Sequence, residues 1–435
     1  ISPDGDVFFT GVTTATTFTG AHSGSGANLT SLPAAQLTGA LPAISGANLT
    51  GIAATDNVRT GILDVAGIAT FRSDVNVPNI NGGQIAGRRN LLINGAMKIN
   101  QRIQTGSLGY FNPVNGSIYT LDRWKVMNGS SFDTDSAQIT QSTQSPDGFS
   151  NSMKWDIGNT ETPASNQNCG IEQKIEGQDL QGLAYGTSSA KTMTLSFWVY
   201  SNKTGTYCVH IMQEDGTKYQ MHEYTISSSN TWEKKTITIV GNTANAINDD
   251  NTTGIRIIWV LTVGSGDTVA ATSTWASGGD LAGTSNQVNL WDNAANHWYL
   301  TGCQLEIGTT ATEFEHRGFG EELSLCQRYF QKFSGGTSDQ YMFASKGNGS
   351  NSCDVGIPLN VPLRASPTLA CAAHRYFNTS SGTYTGSTTA PTVIGFDATL
   401  HSPMLAINAS GVTSYNNAVG NWCPYAEPLS IDSEL

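Results

Sequence analysis

The chain has 435 residues, with 22 Lys and Arg against 34 Asp and Glu, a formal net charge of −12 and only 13% charged residues, about half the usual share. So acidic a chain lacks the electrostatic footprint of a nucleic-acid binder, and no apolar run of about 18 residues exists to span a bilayer. Length suggests about three domains, and a hydrophobic fraction of 38% suffices for compact but lean cores. No secretion signal and no basic amphipathic face is present. The first residue, Ile1 rather than Met, is read as a start partway through a longer gene product.

Residues 1–90 are built from Gly, Ala, Thr, Asn, Ser and Leu. Gly26-Ala27-Asn28-Leu29-Thr30 recurs as Gly46-Ala47-Asn48-Leu49-Thr50, with Gln36-Leu37-Thr38-Gly39-Ala40-Leu41-Pro42 between them. Such a composition cannot offset its ordering entropy alone. It is a disordered linker, or identical chains wrap together. The regular return of Leu favours wrapping, so 1–90 is expected to be a repetitive trimeric shaft. Gly11–Phe18 and Gly67–Phe71 read as short strands flanking it.

Residues 91–317 show strand alternation. Met193, Leu195, Phe197 and Val199 face one way, and Thr194, Ser196, Trp198 and Tyr200 the other. Tyr207, Val209 and Ile211 follow. Ile255, Ile257 and Trp259 alternate with Arg256, Ile258 and Val260. Tyr299, Cys303, Leu305 and Ile307 are expected opposite Trp298, Leu300, Gln304 and Glu306. The pattern predicts an all-β jelly-roll sandwich. A connecting helix is expected over 318–333, with Glu321 and Glu322 at its start, Arg328 and Lys332 at its end, and Leu323, Cys326, Phe330 and Phe333 on one face. Residues 334–435 read as a β-rich tip domain. The predicted fold class is therefore mainly β.

The seven Cys are scattered and no C-x-x-C occurs. They read as free buried thiols, consistent with folding in a reducing cytosol. Reaction motifs are missing: no G-x-S-x-G, no phosphate loop, and His222-Glu223 has no second His. Glu313 and Glu315 share a face if extended. Asp249 and Asp250 sit in a turn, where a structural calcium is the rival to simple solvation. No catalytic residue, no cofactor and no metal is assigned.

Carbohydrate recognition needs flat rings beside amides and hydroxyls. His374, Arg375, Tyr376, Tyr384, Trp422 and Tyr425 form the candidate ligand-binding group, with Trp275 and Trp291 as secondary candidates. Packing in the core is the competing reading for each.

Arg89-Asn90-Leu91-Leu92-Ile93-Asn94-Gly95-Ala96-Met97, Gln101-Arg102 and Leu121-Asp122-Arg123-Trp124 resemble the opening of a domain of tailed-phage fibre proteins. Leu300–Gly308, Ala311-Thr312-Glu313-Phe314-Glu315-His316-Arg317 and Glu322–Phe330 resemble its close. The leader repeat is similar to shafts of marine and cyanobacterial phage fibres. The resemblance implies a carbohydrate-binding-module-like jelly roll in a homotrimeric virion tail fibre, made in the host cytoplasm. A missing N-terminal region would dock to other tail or baseplate proteins. The partner is host surface polysaccharide, with no nucleic acid and no membrane. On this reading Trp298 and Gln304-Leu305-Glu306 are fold residues, and the receptor site falls in the last domain. Removing 334–435 should then abolish cell binding and leave the jelly roll folded. The rivals are a structural spacer without a receptor and a tailspike-like depolymerase.

Overall fold

The computed structural model describes residues 88–102, 118–130, 132, 137–278, 283–333, 343–347, 352–371, 374–378, 383–389, 391–395, 404–410, 419–424 and 429–435, with main chain only at 347, 352, 376–378, 383–385, 404, 410 and 419–423. Residues 1–87 of the expected shaft, with its two flanking strands, lie outside the described residues, as does Tyr425.

Eleven strands build the first sandwich: β1 (Lys125–Gly129), β2 (Gln138–Ser142), β3 (Ser152–Asp156), β4 (Asn168–Glu176), β5 (Met193–Ser201), β6 (Gly205–Gln213), β7 (Lys218–Ile226), β8 (Glu233–Ile239), β9 (Thr253–Val263), β10 (Ala276–Ser277) and β11 (His297–Ile307). They pair antiparallel into a six-stranded sheet, β1-β4-β9-β6-β7-β10, and a five-stranded sheet, β2-β3-β11-β5-β8. Alternation decides which side chains meet between the sheets. Met193, Leu195, Phe197 and Val199 of β5 meet Ile255, Ile257, Trp259 and Leu261 of β9, all at 0% exposure. Trp124, Trp155, Trp259, Trp291 and Trp298 are equally buried. The rings meet edge-on or tilted, Phe197 to Trp259 at 5.7 Å and Trp124 to Trp259 at 5.4 Å, the geometry that ring quadrupoles favour. A short 3-10 helix, Gly177–Leu183, caps one end with Leu180 and Leu183. Cys169, Cys208, Cys303 and Cys326 are free and buried, and Cys353 and Cys371 are buried as well.

β11 departs from the expected alternation. Its register with β5 shifts between Thr301 and Gln304, and Gly302 there has φ +61°. The extra residue is a β-bulge. It places Trp298 and Leu300 in the core together with Cys303 and Leu305, and turns Tyr299 outward, opposite Tyr200. The sequence reading had put Tyr299 on the Cys303 face. A single-residue phase change accounts for the error.

The residues that carry the family resemblance join the ends of the sandwich. Leu91 N–H donates to the Leu305 carbonyl at 2.8 Å, and Asn90 Nδ2 donates to the Cys303 carbonyl at 3.0 Å. Glu315 accepts the main-chain N–H groups of both Arg89 and Asn90 at 3.0 Å. Arg317 donates to the Leu92 carbonyl at 3.0 Å and pairs with Glu315 at 3.1 Å. Asn94 takes φ 57°, a region Asn tolerates, and its amide ties Ile99 to Asp122. Burial alone would raise the Glu315 pKa, but the two N–H donors and Arg317 hold it below the ordinary carboxylate value. The stabilisation is therefore present above the unfolded-state pKa and lost as pH falls through the lower folded value. Thermal melts taken through the acid range should show a weaker pH dependence for Glu315→Gln than for the wild type.

The helix α1 covers Phe319–Gln327, shorter than the expected 318–333. Phe330–Phe333 forms instead a strand, β12, paired with Leu429–Asp432. Phe330 and Phe333 thus belong to the terminal domain's sheet rather than to a helical face. The terminal strands are β13 (Phe343–Gly347), β14 (Ser352–Pro358), β15 (Thr368–Ala370), β16 (His374–Asn378), β17 (Thr383–Ser387), β18 (Thr392–Gly395), β19 (Met404–Ser410), β20 (Val419–Pro424) and β21 (Leu429–Asp432). They form a three-stranded sheet, β12-β21-β15, and a seven-stranded sheet, β17-β16-β20-β13-β14-β19-β18. Val355, Ile357, Leu405, Ile407, Leu429 and Ile431 are among its core residues.

After β21 the chain returns to the first sandwich. Glu434 pairs with Arg102 at 2.9 Å and with Arg123, and Asp432 pairs with Arg102 at 2.9 Å. The Arg123 side chain is 1% exposed and lies 3.4 Å over the Tyr329 ring. Arg102 lies 3.8 Å over Phe330. Arg328 grips the fully buried Glu176 of β4 with two hydrogen bonds, 3.0 and 2.8 Å. The two sandwiches are thus bound through a shared seam of paired charges and rings.

Candidate functional site

The outward face of the five-stranded sheet carries a stripe of aromatic side chains. Strand alternation brings it there: Trp198 and Tyr200 on β5, His297 and Tyr299 on β11, and Trp232 just before β8. Tyr200 lies 5.2 Å from Tyr299, 5.4 Å from Trp232 and 5.8 Å, nearly parallel, from His297. Beyond the bulge the stripe continues with Phe149, 5.0 Å from Phe314, which is 4.9 Å from His316. Trp198, Tyr200, Trp232, His297, Phe149 and Phe314 are half-buried and His316 is exposed, while Tyr299 between them is buried at 5% exposure.

Polar groups stand among the rings. Lys154 pairs with Asp156 at 2.6 Å and lies 5.7 Å from the Tyr299 ring centre. Burial opposes its charge, but Asp156 and Tyr299 raise its pKa overall. Lys234 is exposed and sits opposite Trp198 in register. His297 Nε2 is 3.0 Å from Asn230 Oδ1. Burial lowers the His297 pKa, and burial with nearby Lys98 lowers that of His316, so both imidazoles are neutral at pH 7. The face presents flat apolar rings with ammonium, carboxylate and amide groups beside them. It can stack on a C–H surface and exchange hydrogen bonds with hydroxyls.

Gly302 makes the middle of the stripe possible. A Cβ there would lie 2.7 Å from Phe149 Cζ and 2.8 Å from Trp198 Cδ1. Its left-handed φ adds a conformational cost of roughly 1–2 kcal/mol for any L side chain. Gly302→Val should therefore destabilise the sandwich by at least that amount and displace both rings. A lowered melting temperature and an altered near-UV circular dichroism band would report it.

The residues singled out from sequence are distributed differently. Trp291, a secondary candidate with packing as its competing reading, is fully buried against Phe132 and Trp155 at 5.1 and 5.9 Å. The correction follows from a 3-10 turn, Leu290–Asp292, that directs Leu290 and Trp291 inward. Trp275 packs half-buried at the sandwich edge, edge-on to Tyr185 at 5.9 Å, and its Nε1–H donates to the Val240 carbonyl at 2.7 Å. In the terminal domain, His374 is 1% exposed. Position 376 lies opposite Trp422, while Arg375 lies opposite Cys423 and Phe377 opposite Tyr384. Strand alternation therefore puts His374, Tyr376 and Trp422 on one face of the sheet and Arg375 and Tyr384 on the other.

Glu315 is engaged by Arg317 and two N–H groups, whereas Glu313 is exposed. Asp250 accepts from the Thr252 main chain and hydroxyl at 2.9 and 2.6 Å, a turn-forming role. On the six-stranded sheet Arg256 stands between Glu214, at 3.0 Å, and Glu172, at 3.7 Å. Glu172 is fully buried, neither of its oxygens accepts a hydrogen bond, and burial raises its pKa. Among the described residues no group of three or more His, Cys, Asp or Glu is placed to hold a metal ion.

No protein-family model matches the chain. No curated protein matches it either. Among solved structures, it is similar to the enzymatically active domain of bacteriophage CBA120 tailspike protein 4, at 14% identity and TM-score 0.26, over 50% of this chain and 21% of that one. It is similar to TmCBM61 in complex with β-1,4-galactotriose, at 12% identity and TM-score 0.25, over 51% and 99%. A putative sugar-binding protein from Bacteroides thetaiotaomicron aligns at 10% identity and TM-score 0.28, over 50% and 100%. At such TM-scores the likeness transfers neither a ligand nor an activity to this chain.

Proposed function

We propose that this protein is a trimeric virion fibre that attaches a phage to bacterial surface polysaccharide, with the aromatic stripe as its glycan-binding face. The observation that carries the reading is the stripe: half-buried rings clustered around the buried Tyr299 on one sheet face, interleaved with hydrogen-bonding groups. Its position on a jelly roll and the fibre-like sequence blocks at the sandwich ends support it. Each contact is weak, and three copies on one fibre make the second and third binding events intramolecular, which raises avidity. No bond-breaking step is assigned to it.

Fluorescently labelled protein should stain the surface of susceptible bacteria, and soluble polysaccharide from the same cells should displace it. Absence of staining on every strain tested would favour a spacer without a receptor. Release of new reducing ends from that polysaccharide would favour a depolymerase. Light scattering should give a mass about three times 46.1 kDa, and a monomer would remove the shaft from the account.

A further inference from the structure

We infer that Glu172 is a proton-operated switch in the six-stranded sheet: the jelly roll is most stable with that carboxyl protonated, so weak acid tightens the sandwich relative to neutral pH. Glu172 stands in the middle of β4, opposite Lys125 of β1 on one side and Ile258 of β9 on the other. It is 0% exposed. A buried carboxylate is ordinarily satisfied by several donors, yet neither oxygen of Glu172 accepts a hydrogen bond.

The groups around it explain why. Arg256 of β9 lies 3.7 Å away, beyond hydrogen-bond reach, and is committed elsewhere. Its Nε is 3.0 Å from Glu214, in the turn after β6, and its Nη2 donates to Met212 Sδ of β6 at 2.7 Å. Lys125 lies 5.3 Å from the Tyr119 ring centre, and Lys174, two residues along β4, is half-buried. His210 of β6 stands in the same row across Ile258, but burial lowers its pKa to about 3 and keeps it neutral. Three cations thus favour the charged form of Glu172 from a distance, Glu214 opposes it, and no group donates to it. Burial outweighs the cations and strengthens its hold on a proton.

The sign follows from linkage. A carboxyl that binds its proton more tightly when folded costs nothing below the ordinary carboxyl range. The cost appears as pH rises out of that range and is complete above the raised folded-state value. This is opposite to Glu315, whose contribution is lost on acidification. The strand gives the switch a reach beyond its own row. The Lys174 carbonyl accepts from Arg123 at 2.6 Å, and Glu176 is gripped by Arg328 at 2.8 Å. The strand that carries Glu172 is therefore one on which the terminal domain seats.

The test uses the full chain. Glu172→Gln keeps the shape and removes the charge. The variant should melt a few degrees above the wild type at neutral pH, and the gap should close as pH falls into the carboxyl range. Carbon-13 NMR of the wild type with labelled glutamate needs no variant: one side-chain carboxyl should titrate above the ordinary range. A variant that melts below the wild type at neutral pH would overturn the inference, because Glu172 would then act as an ionised partner of Arg256. Wild-type spectra in which every glutamate titrates within or below the ordinary range would overturn it as well.

Discussion

Replacing Glu434 with alanine is expected to cost about 3–5 kcal/mol of stability, the usual consequence of removing one partner of a buried ion pair. Glu434 is 3% exposed at its side chain and serves two guanidinium groups, Arg102 and the almost fully buried Arg123. Without it Arg123 keeps its stacking on Tyr329 but is left as an uncompensated charge inside the seam. The double replacement of Arg123 and Glu434 by leucine removes both charges and should recover most of the loss. Guanidinium unfolding midpoints at unchanged slope would measure each effect. The same geometry bears on the expectation that the jelly roll stays folded without residues 334–435. A truncated chain loses both Asp432 and Glu434, so Arg102 and Arg123 lose their partners together. It also loses β21, the partner of β12. The truncated protein should melt well below the full chain, and loss of cell binding in it would not by itself locate the receptor site.

The second large effect is expected at the stripe. Tyr200→Ala and Trp198→Ala should each weaken polysaccharide binding by about five- to thirtyfold, or 1–2 kcal/mol, as for aromatic anchors in other interfaces. Both side chains lie on the outward face and are half-buried, so the folded protein should survive. Trp291→Ala provides the contrast. That ring is in the core, and its removal should lower stability by about 3–5 kcal/mol while leaving the affinity of the folded fraction unchanged. Calorimetric titration paired with thermal melts separates the two behaviours.

Period-two alternation of side-chain type on β5 made the sandwich legible, although β6 and β9 are buried along nearly their whole lengths and alternate little in exposure. β11 was misread because a bulge is invisible to a fixed period. Gly302 was the available signal: a glycine inside an apolar strand marks a bulge or a close approach, and here it marks both. The stripe itself was hidden for a second reason. Its rings come from segments about 100 residues apart, and only the pairing of Tyr200 with Tyr299 brings them together. No single strand reveals that register. The helix was overextended because Phe330 and Phe333 suit a helical face and a strand equally. The decisive fact, pairing with Leu429–Asp432, is non-local. The same is true of the seam, where residues near 102 and 123 wait for partners at 432 and 434. By contrast, the Arg89–Met97 and Ala311–Arg317 blocks stand out in the sequence through their resemblance, and their hydrogen bonds to each other give them a structural role.

The most direct test is a crystal structure of the full chain soaked with a long oligosaccharide from the polysaccharide that the protein captures. Sugar rings should lie over the row of Trp198, Tyr200 and Trp232. Sugar density elsewhere on the protein, with that row bare, would contradict the account.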